Sequence, residues 1–149
     1  MEDLIEMLKR HEGEVVTNGR HVLYKCSAGY WTLGIGRNVD VNGGLGLSED
    51  EVNYLLENDI ARVIKELSSE YSWFNDLDDV RKDAMIDISF NLGATKLRKF
   101  VLALDAMAKA DYKSAAKEFL DSAWSRAVKG RSIELASMIE TGEYYSEVR

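Results

Sequence analysis

Three residues near the N-terminus carry side chains suited to acid–base work on a water molecule: Glu12, Cys26 and Thr32. Glu12 closes an apolar helical stripe, one turn beyond Leu8 and two beyond Ile5. Partial desolvation and the negative end of the helix dipole both push a carboxyl at such a place up toward neutrality. A carboxylic acid that keeps its proton near neutral pH can give it to a glycosidic oxygen. Cys26 and Thr32 flank the turn Ser27-Ala28-Gly29. If Cys26 pairs with Tyr30 and Tyr24 with Thr32, all four side chains share one face of a hairpin. Cys26 and Thr32 are then diagonal neighbours about 7 Å apart at the backbone. Opposite Glu12 they could hold and activate one water, and inverting glycosidases need such a gap between acid and base. Taken singly each residue is ordinary: a solvated helix-end glutamate, a small apolar filler, a strand threonine.

The elements that must position these groups follow from pattern. Residues 1–12 read as a short amphipathic helix with Leu4, Ile5 and Leu8 inward. Asn18-Gly19 between apolar runs is a hairpin signal. Tyr30 to Ile35 alternate, with Trp31, Leu33 and Ile35 on one face and Tyr30, Thr32 and Gly34 on the other. Glu14 to Gly36 therefore reads as a three-stranded meander, followed by a glycine-rich loop from Asn38 to Leu47. Ser48 with Glu51 makes a capping box for a helix to about Leu67. The inward stripe of that helix is Val52, Leu55, Leu56, Ile60, Val63, Ile64 and Leu67. Asp78 caps a helix through Val80, Ala84, Met85 and Ile88 that stops at Gly93. Three or four further helical segments follow, with Asp111 starting one and Gly142 ending the last. The layout is α+β and single-domain over 1–149: a β lobe over about 13–47, a connecting helix over about 49–68, and a helical lobe over about 69–149 that also takes helix 1–12.

Composition narrows the function classes. A chain of 149 residues can bury a core without staples, and its single cysteine cannot form an internal disulfide, which fits a reducing compartment. The net charge of -7, with Lys and Arg scattered, argues against a nucleic-acid binder. No apolar run reaches membrane-span length, and the N-terminus opens on a helical pattern rather than a signal peptide. No metal-ligand spacing is present and no cofactor is expected. A cell-wall substrate is itself anionic, so attraction to it would have to be local, through basic residues on an acidic body.

Glu12-Gly13, then Tyr24-Lys25-Cys26, then Gly29-Tyr30-Trp31-Thr32-Leu33-Gly34-Ile35-Gly36-Arg37 resembles the active-site region of the lysozymes of T-even bacteriophages and their relatives. That family carries a glutamate, an aspartate or sometimes a cysteine, and a threonine six positions on that opens a Thr-x-Gly-x-Gly-His/Arg motif. The resemblance continues through Glu57-Asn58-Asp59, Leu77 to Arg81, Phe90-Asn91-Leu92-Gly93, Ser122-Ala123-Trp124 and Thr141-Gly142, covering nearly the whole chain. It implies a lysozyme-like fold and an inverting muramidase that cuts peptidoglycan between N-acetylmuramic acid and N-acetylglucosamine. It implies Glu12 as general acid, Cys26 and Thr32 as the groups that orient and activate the water, and substrate contacts at Tyr30, Gly36, Asn91 and Arg131. It places Arg131 against the catalytic glutamate, which would lower the pKa of Glu12 against burial and the dipole. Trp124 packs the helical lobe rather than stacking on sugar. It also pairs Arg37 with Asp59, and breaking that pair would cost about 3 kcal/mol if it is buried. The implied enzyme is a monomeric endolysin, held in the host cytoplasm until a separate membrane-permeabilising partner releases it to the wall.

Two departures from that family matter. Glu12 and Cys26 stand fourteen apart where the family has nine, and the extra residues fall at Thr17-Asn18-Gly19-Arg20, a hairpin that could bulge outward. The thiol itself is the second, since only a few per cent of an unperturbed cysteine is thiolate at neutral pH. A catalytically impaired peptidoglycan-binding protein on the same scaffold is one alternative. A cysteine-dependent cell-wall peptidase or amidase using His11 or His21 is another, although Cys26 sits in a hairpin and not at a helix start.

Overall fold

The computed structural model describes residues 3–146, which fall into two compact units, one ending at Tyr54 and the other beginning at Leu55. The first holds α1 (Leu4–Glu12), a hairpin of β1 (Val16–Thr17) and β2 (Arg20–His21), and a sheet of β3 (Tyr24–Lys25), β4 (Trp31–Leu33) and β5 (Arg37–Asn38). The division falls inside the long helix α2 (Glu49–Glu70). The second unit continues with α3 (Asp79–Leu92), α4 (Ala94–Leu97), α5 (Val101–Ala108), α6 (Tyr112–Leu120), α7 (Ala123–Val128) and α8 (Gly130–Thr141). The α+β class is as the sequence implies. Helix α1 lies in the first unit, with the β structure, whereas the sequence pattern grouped residues 1–12 with the helices.

The β region differs from a single meander. Asn18 and Gly19 both take positive φ (51° and 76°), the backbone of a two-residue hairpin turn, and Val16 pairs with His21. This hairpin is a sheet of its own. The second sheet is ordered β3-β4-β5, so its third strand is Arg37–Asn38, past the expected end of the meander at Gly36 and reaching the first residue of the stretch read as loop. Strand β4 stops at Leu33 because Gly34 and Gly36 take φ of 64° and 72° and turn the chain. The buried face of β4 is the polar one: Thr32 is 2% exposed whereas Trp31 is 46% exposed.

Helix α1 corrects the expected inward stripe. Leu4, Ile5 and Leu8 are all exposed, and no described residue of the helix is buried. A unit of this size encloses little interior, and Thr32 is the one residue buried among those described up to Tyr54. The stripe of α2 is likewise buried only at Val63 and Leu67, while Val52, Leu55, Leu56 and Ile64 stay exposed. From there on the core is continuous, built on Phe74, Met85, Ile88, Leu97, Met107, Phe119, Trp124 and Ile139. Trp124 meets Phe100 and Phe119 edge-on at 6.3 and 6.4 Å between ring centres, which is the packing role the sequence implies.

The caps are legible residue by residue. Glu51 N–H donates to Ser48 Oγ and Ser48 N–H to Glu51 Oε1, a reciprocal capping box. Asp78 and Asp111 accept from the N–H groups of Arg81 and Ser114, and Gly142 closes α8 in the left-handed conformation. After α3 there are five helices among the described residues rather than three or four, because the chain breaks at Ala110 and at Lys129, which take φ of 56° and 49° although neither is a glycine.

Arg81 ties α3 to the end of α8. Its Nε and Nη2 donate to the carbonyls of Ile139 and Glu140 at 2.6 and 3.0 Å, Nη1 pairs with Asp78 at 3.1 Å, and the guanidinium lies 3.8 Å over the Tyr112 ring. A cation on otherwise unpaired helix-end carbonyls complements the dipole. Arg81→Ala is expected to cost about 2–3 kcal/mol. Arg81→Lys should recover only part of that, because an ammonium lacks the fork. Thermal denaturation of the three proteins reads this directly.

Candidate active site

Glu12 is the last residue of α1, where Gly13, at φ 72°, ends the helix and donates its N–H to Lys9 O. The carboxyl comes to rest on the β4–β5 turn. A Cβ built on Gly36 would stand 2.7 Å from Glu12 Oε2 and 3.0 Å from its Cδ. Only a residue without a side chain lets the carboxyl lie this close to the backbone. Glu12 is exposed rather than partly desolvated, which corrects that expectation. Gly36→Ala is expected to cost about 1–2 kcal/mol for its positive φ and to displace the Glu12 carboxyl. Any activity that depends on Glu12 should therefore fall by much more than the melting temperature suggests.

Cys26 and Thr32 are brought together as the spacing predicts. Tyr24 pairs with Thr32, Lys25 with Trp31, and Cys26 N–H donates to Tyr30 O at 3.0 Å. Thr32 is paired on both flanks, to Tyr24 and to Asn38, so its position is fixed by two strands. Its hydroxyl donates to Tyr30 O at 2.9 Å and also reaches Cys26. Backbone hydrogen bonds from Tyr30 and Ala28 hold the Cys26 thiol below its ordinary value, with the Thr32 hydroxyl and Gly29 adding to them against some desolvation. The sulfur is thus biased toward thiolate by the turn that carries it. Tyr30 is exposed at the mouth of the same turn.

Strand β4 is locked at its start by Asp40, a residue outside the motif that Thr32 opens. Asp40 accepts from Trp31 N–H and Asn42 N–H, both at 2.9 Å, while Asn38 Oδ1 accepts from Asp40 N–H. The two backbone contacts, Trp31 first, hold the Asp40 carboxyl below the usual carboxylate range. Asn38, Asp40 and Asn42 at alternate positions were the available signal, since Asn and Asp fold the chain by bonding nearby N–H groups.

Arg37 does not take Asp59. Its Nη1 donates to Gly46 O at 3.2 Å and to Glu51 Oε1 at 3.0 Å, and Asp59 faces Arg62 at 3.8 Å. The capping box has already turned Glu51 toward the loop that Arg37 borders. Contacts from Ser48 and then Arg37 hold that carboxyl below its usual range. Arg37 and Glu51 are 41% and 38% exposed, so the pair is a solvent-screened surface contact that contributes far less than a buried one.

Arg131 is engaged within the second unit. Its Nε and Nη2 donate to Asp87 Oδ1 at 2.8 and 2.6 Å, joining α8 to α3. Asn91 uses its Oδ1 to accept the Trp124 indole N–H at 2.7 Å. Asn91 and Arg131 belong to the second unit, whereas Glu12, Cys26, Tyr30, Thr32 and Gly36 belong to the first. His21 pairs with Glu14 at 3.5 Å on the separate hairpin. Among the described residues no His, Cys, Asp and Glu gather in a group able to hold a metal ion.

A family model described as phage lysozyme matches residues 10–139. The chain is 32% identical to an endolysin of Acyrthosiphon pisum secondary endosymbiont phage 1, across 90% of this chain and 86% of that protein. It is 27% identical to probable T4-type lysozyme 1 of Dictyostelium discoideum, across 92% and 93% respectively. It is also 28% identical to the pre-baseplate central spike protein Gp5 of Enterobacteria phage T4, of which it spans 28%.

Proposed function

The chain belongs to the phage lysozyme family and is a lysozyme, and on that premise we propose that it hydrolyses the β-1,4 bond between N-acetylmuramic acid and N-acetylglucosamine with Glu12 as general acid. The observation that carries this reading is the Glu12 carboxyl resting on Gly36 of the Thr-Leu-Gly-Ile-Gly-Arg motif, whose first residue, Thr32, holds Cys26. Glu12 gives its proton to the glycosidic oxygen as the bond to the anomeric carbon breaks. Water held by Cys26 and Thr32 attacks that carbon from the opposite face and loses a proton to the thiolate, so configuration inverts. Tyr30, Gly36, Asn91 and Arg131 contact the glycan. The Asp87 pair fixes the Arg131 fork, and the Trp124 bond fixes the Asn91 amide.

The enzyme acts as a monomeric single lysozyme domain on bacterial peptidoglycan, without cofactor. We assign it to the host cytoplasm until a separate membrane-permeabilising partner gives it the wall; none of its described helices is long and apolar enough to cross a membrane. The peptidase alternative draws no support from Cys26, which lies in a β-turn, or from His21, which is engaged by Glu14. Permeabilised Gram-negative cells followed by turbidity, with the products assayed for new ends, test the assignment. Clearing with new reducing sugar ends is the expected result; clearing with new amino groups, or none, contradicts it.

A further inference from the structure

The peptide unit that joins Tyr30 to Trp31 is gripped at both ends. Its carbonyl oxygen accepts the Cys26 N–H at 3.0 Å and the Thr32 hydroxyl at 2.9 Å, so both residues assigned to the water hang on one acceptor. Its N–H donates to Asp40 Oδ2 at 2.9 Å. The register of the sheet makes that last bond informative. Thr32 lies opposite Asn38, which sets Trp31 opposite Val39, and Val39 N–H does donate to Trp31 O at 2.9 Å. In a continued antiparallel ladder the return bond would run from Trp31 N–H to the Val39 carbonyl. The Asp40 carboxylate takes that N–H instead. Asp40 is itself held in place: Oδ1 accepts Asn42 N–H, its N–H donates to Asn38 Oδ1, and its carbonyl accepts Gly44 N–H at 3.0 Å. A Cβ on Gly44 would stand 2.6 Å from Asp40 N, so the loop closes on Asp40 only because residue 44 has none.

A neutral carbonyl would complete the ladder. What the carboxylate adds is an ionised acceptor, whose hydrogen bonds are about twice as strong as neutral ones. A strong acceptor on the N–H of a peptide also polarises its carbonyl and strengthens the bonds that the carbonyl receives. Here those bonds come from Cys26 and Thr32. We propose that Asp40 is a positioning residue for the hydrolysis: through the Tyr30–Trp31 peptide it sets where the Cys26 thiol and the Thr32 hydroxyl stand relative to each other. The inference rests on the reading in which those two groups hold the attacking water, and it extends that site by a residue that acts without touching the reacting atoms.

Asp40→Ala and the isosteric Asp40→Asn test this, with two readouts on each folded protein. D40A is expected to lose kcat by about tenfold or more with KM within about twofold of wild type, because the water is displaced while the glycan contacts stay. D40N should show a smaller loss in the same direction, since its amide oxygen can still accept the Trp31 N–H but carries no charge. The second readout needs no glycan. Alkylation of Cys26 by iodoacetamide at neutral pH should slow about threefold in D40A, as the turn N–H groups that favour thiolate drift from the sulfur. Removing a nearby negative charge would by itself favour thiolate, so faster alkylation would overturn the proposal. Wild-type kcat in D40A, or a loss confined to KM, would overturn it too. Should D40A fail to fold, D40N decides the matter, and wild-type kcat and alkylation there count against Asp40. Wild-type protein that releases no reducing ends would sink the muramidase reading separately, while the alkylation comparison still reports whether Asp40 governs the Cys26 turn.

Discussion

Glu12→Gln lowers hydrolysis of peptidoglycan by at least about a thousandfold and leaves the melting temperature where it was. The size follows from what the amide lacks. Glutamine keeps the shape of glutamate but has no proton of comparable acidity, and general acid catalysis contributes roughly 10²–10⁴ in rate. A thousandfold corresponds to about 4 kcal/mol of barrier. The neutrality toward stability follows from the setting: Glu12 is exposed and its neighbour at the carboxyl is the backbone of Gly36, which receives an amide as readily. An exposed, isosteric change of this kind stays within about 0.5 kcal/mol. Rates of reducing-end release alongside thermal melts separate the two effects. A variant with a tenth or more of wild-type activity would remove Glu12 from the acid's role.

Cys26 carries the second large effect. Iodoacetamide treatment is expected to abolish activity, Cys26→Ala to lower kcat by about a hundredfold, and Cys26→Asp to retain activity, since a carboxylate can accept the same proton. The pH dependence has a definite sign. The turn holds the thiol below its ordinary value, so thiolate forms at lower pH than in a free cysteine. The rate of alkylation should then rise with pH through a midpoint below that of a model thiol. Unfolding the protein should move that midpoint back up. Full activity of the alkylated enzyme would show that the sulfur neither holds nor activates the water.

Much of the positioning was legible before any coordinates. Two-residue spacing placed Cys26 beside Thr32, Asn18-Gly19 gave the hairpin, and Ser48 with Glu51 gave the start of α2, because each depends on chemistry local to a few residues. What could not be read depends on contacts distant in sequence. Arg37 had two acids at helical spacing to choose from, Glu51 and Asp59, and nothing in the chain says that the capping box would aim the nearer one at it. Arg131 bonds Asp87, 44 residues away, by virtue of how α3 meets α8. The apolar stripe of α1 announced an amphipathic helix correctly, yet periodicity cannot say how much of it will be covered. The third strand at Arg37–Asn38 was hidden because its two residues lie between glycines and turn-forming Asn and Asp, where no alternation can develop.

The extra residues at Thr17–Arg20 fall in a hairpin that pairs with itself and not with the β3-β4-β5 sheet. The longer spacing between Glu12 and Cys26 is therefore taken up outside the sheet that carries Cys26 and Thr32. This is how a departure in sequence spacing is compatible with the same three side chains serving one reaction.

The anomeric configuration of the freshly released reducing end, followed by proton NMR in the first minutes of digestion, bears most directly on the claim that a water held by Cys26 and Thr32 attacks opposite to Glu12. The account predicts that the α-anomer appears first and then mutarotates. Initial formation of the β-anomer would contradict it, since retention requires two successive displacements at the anomeric carbon in place of one direct attack by water.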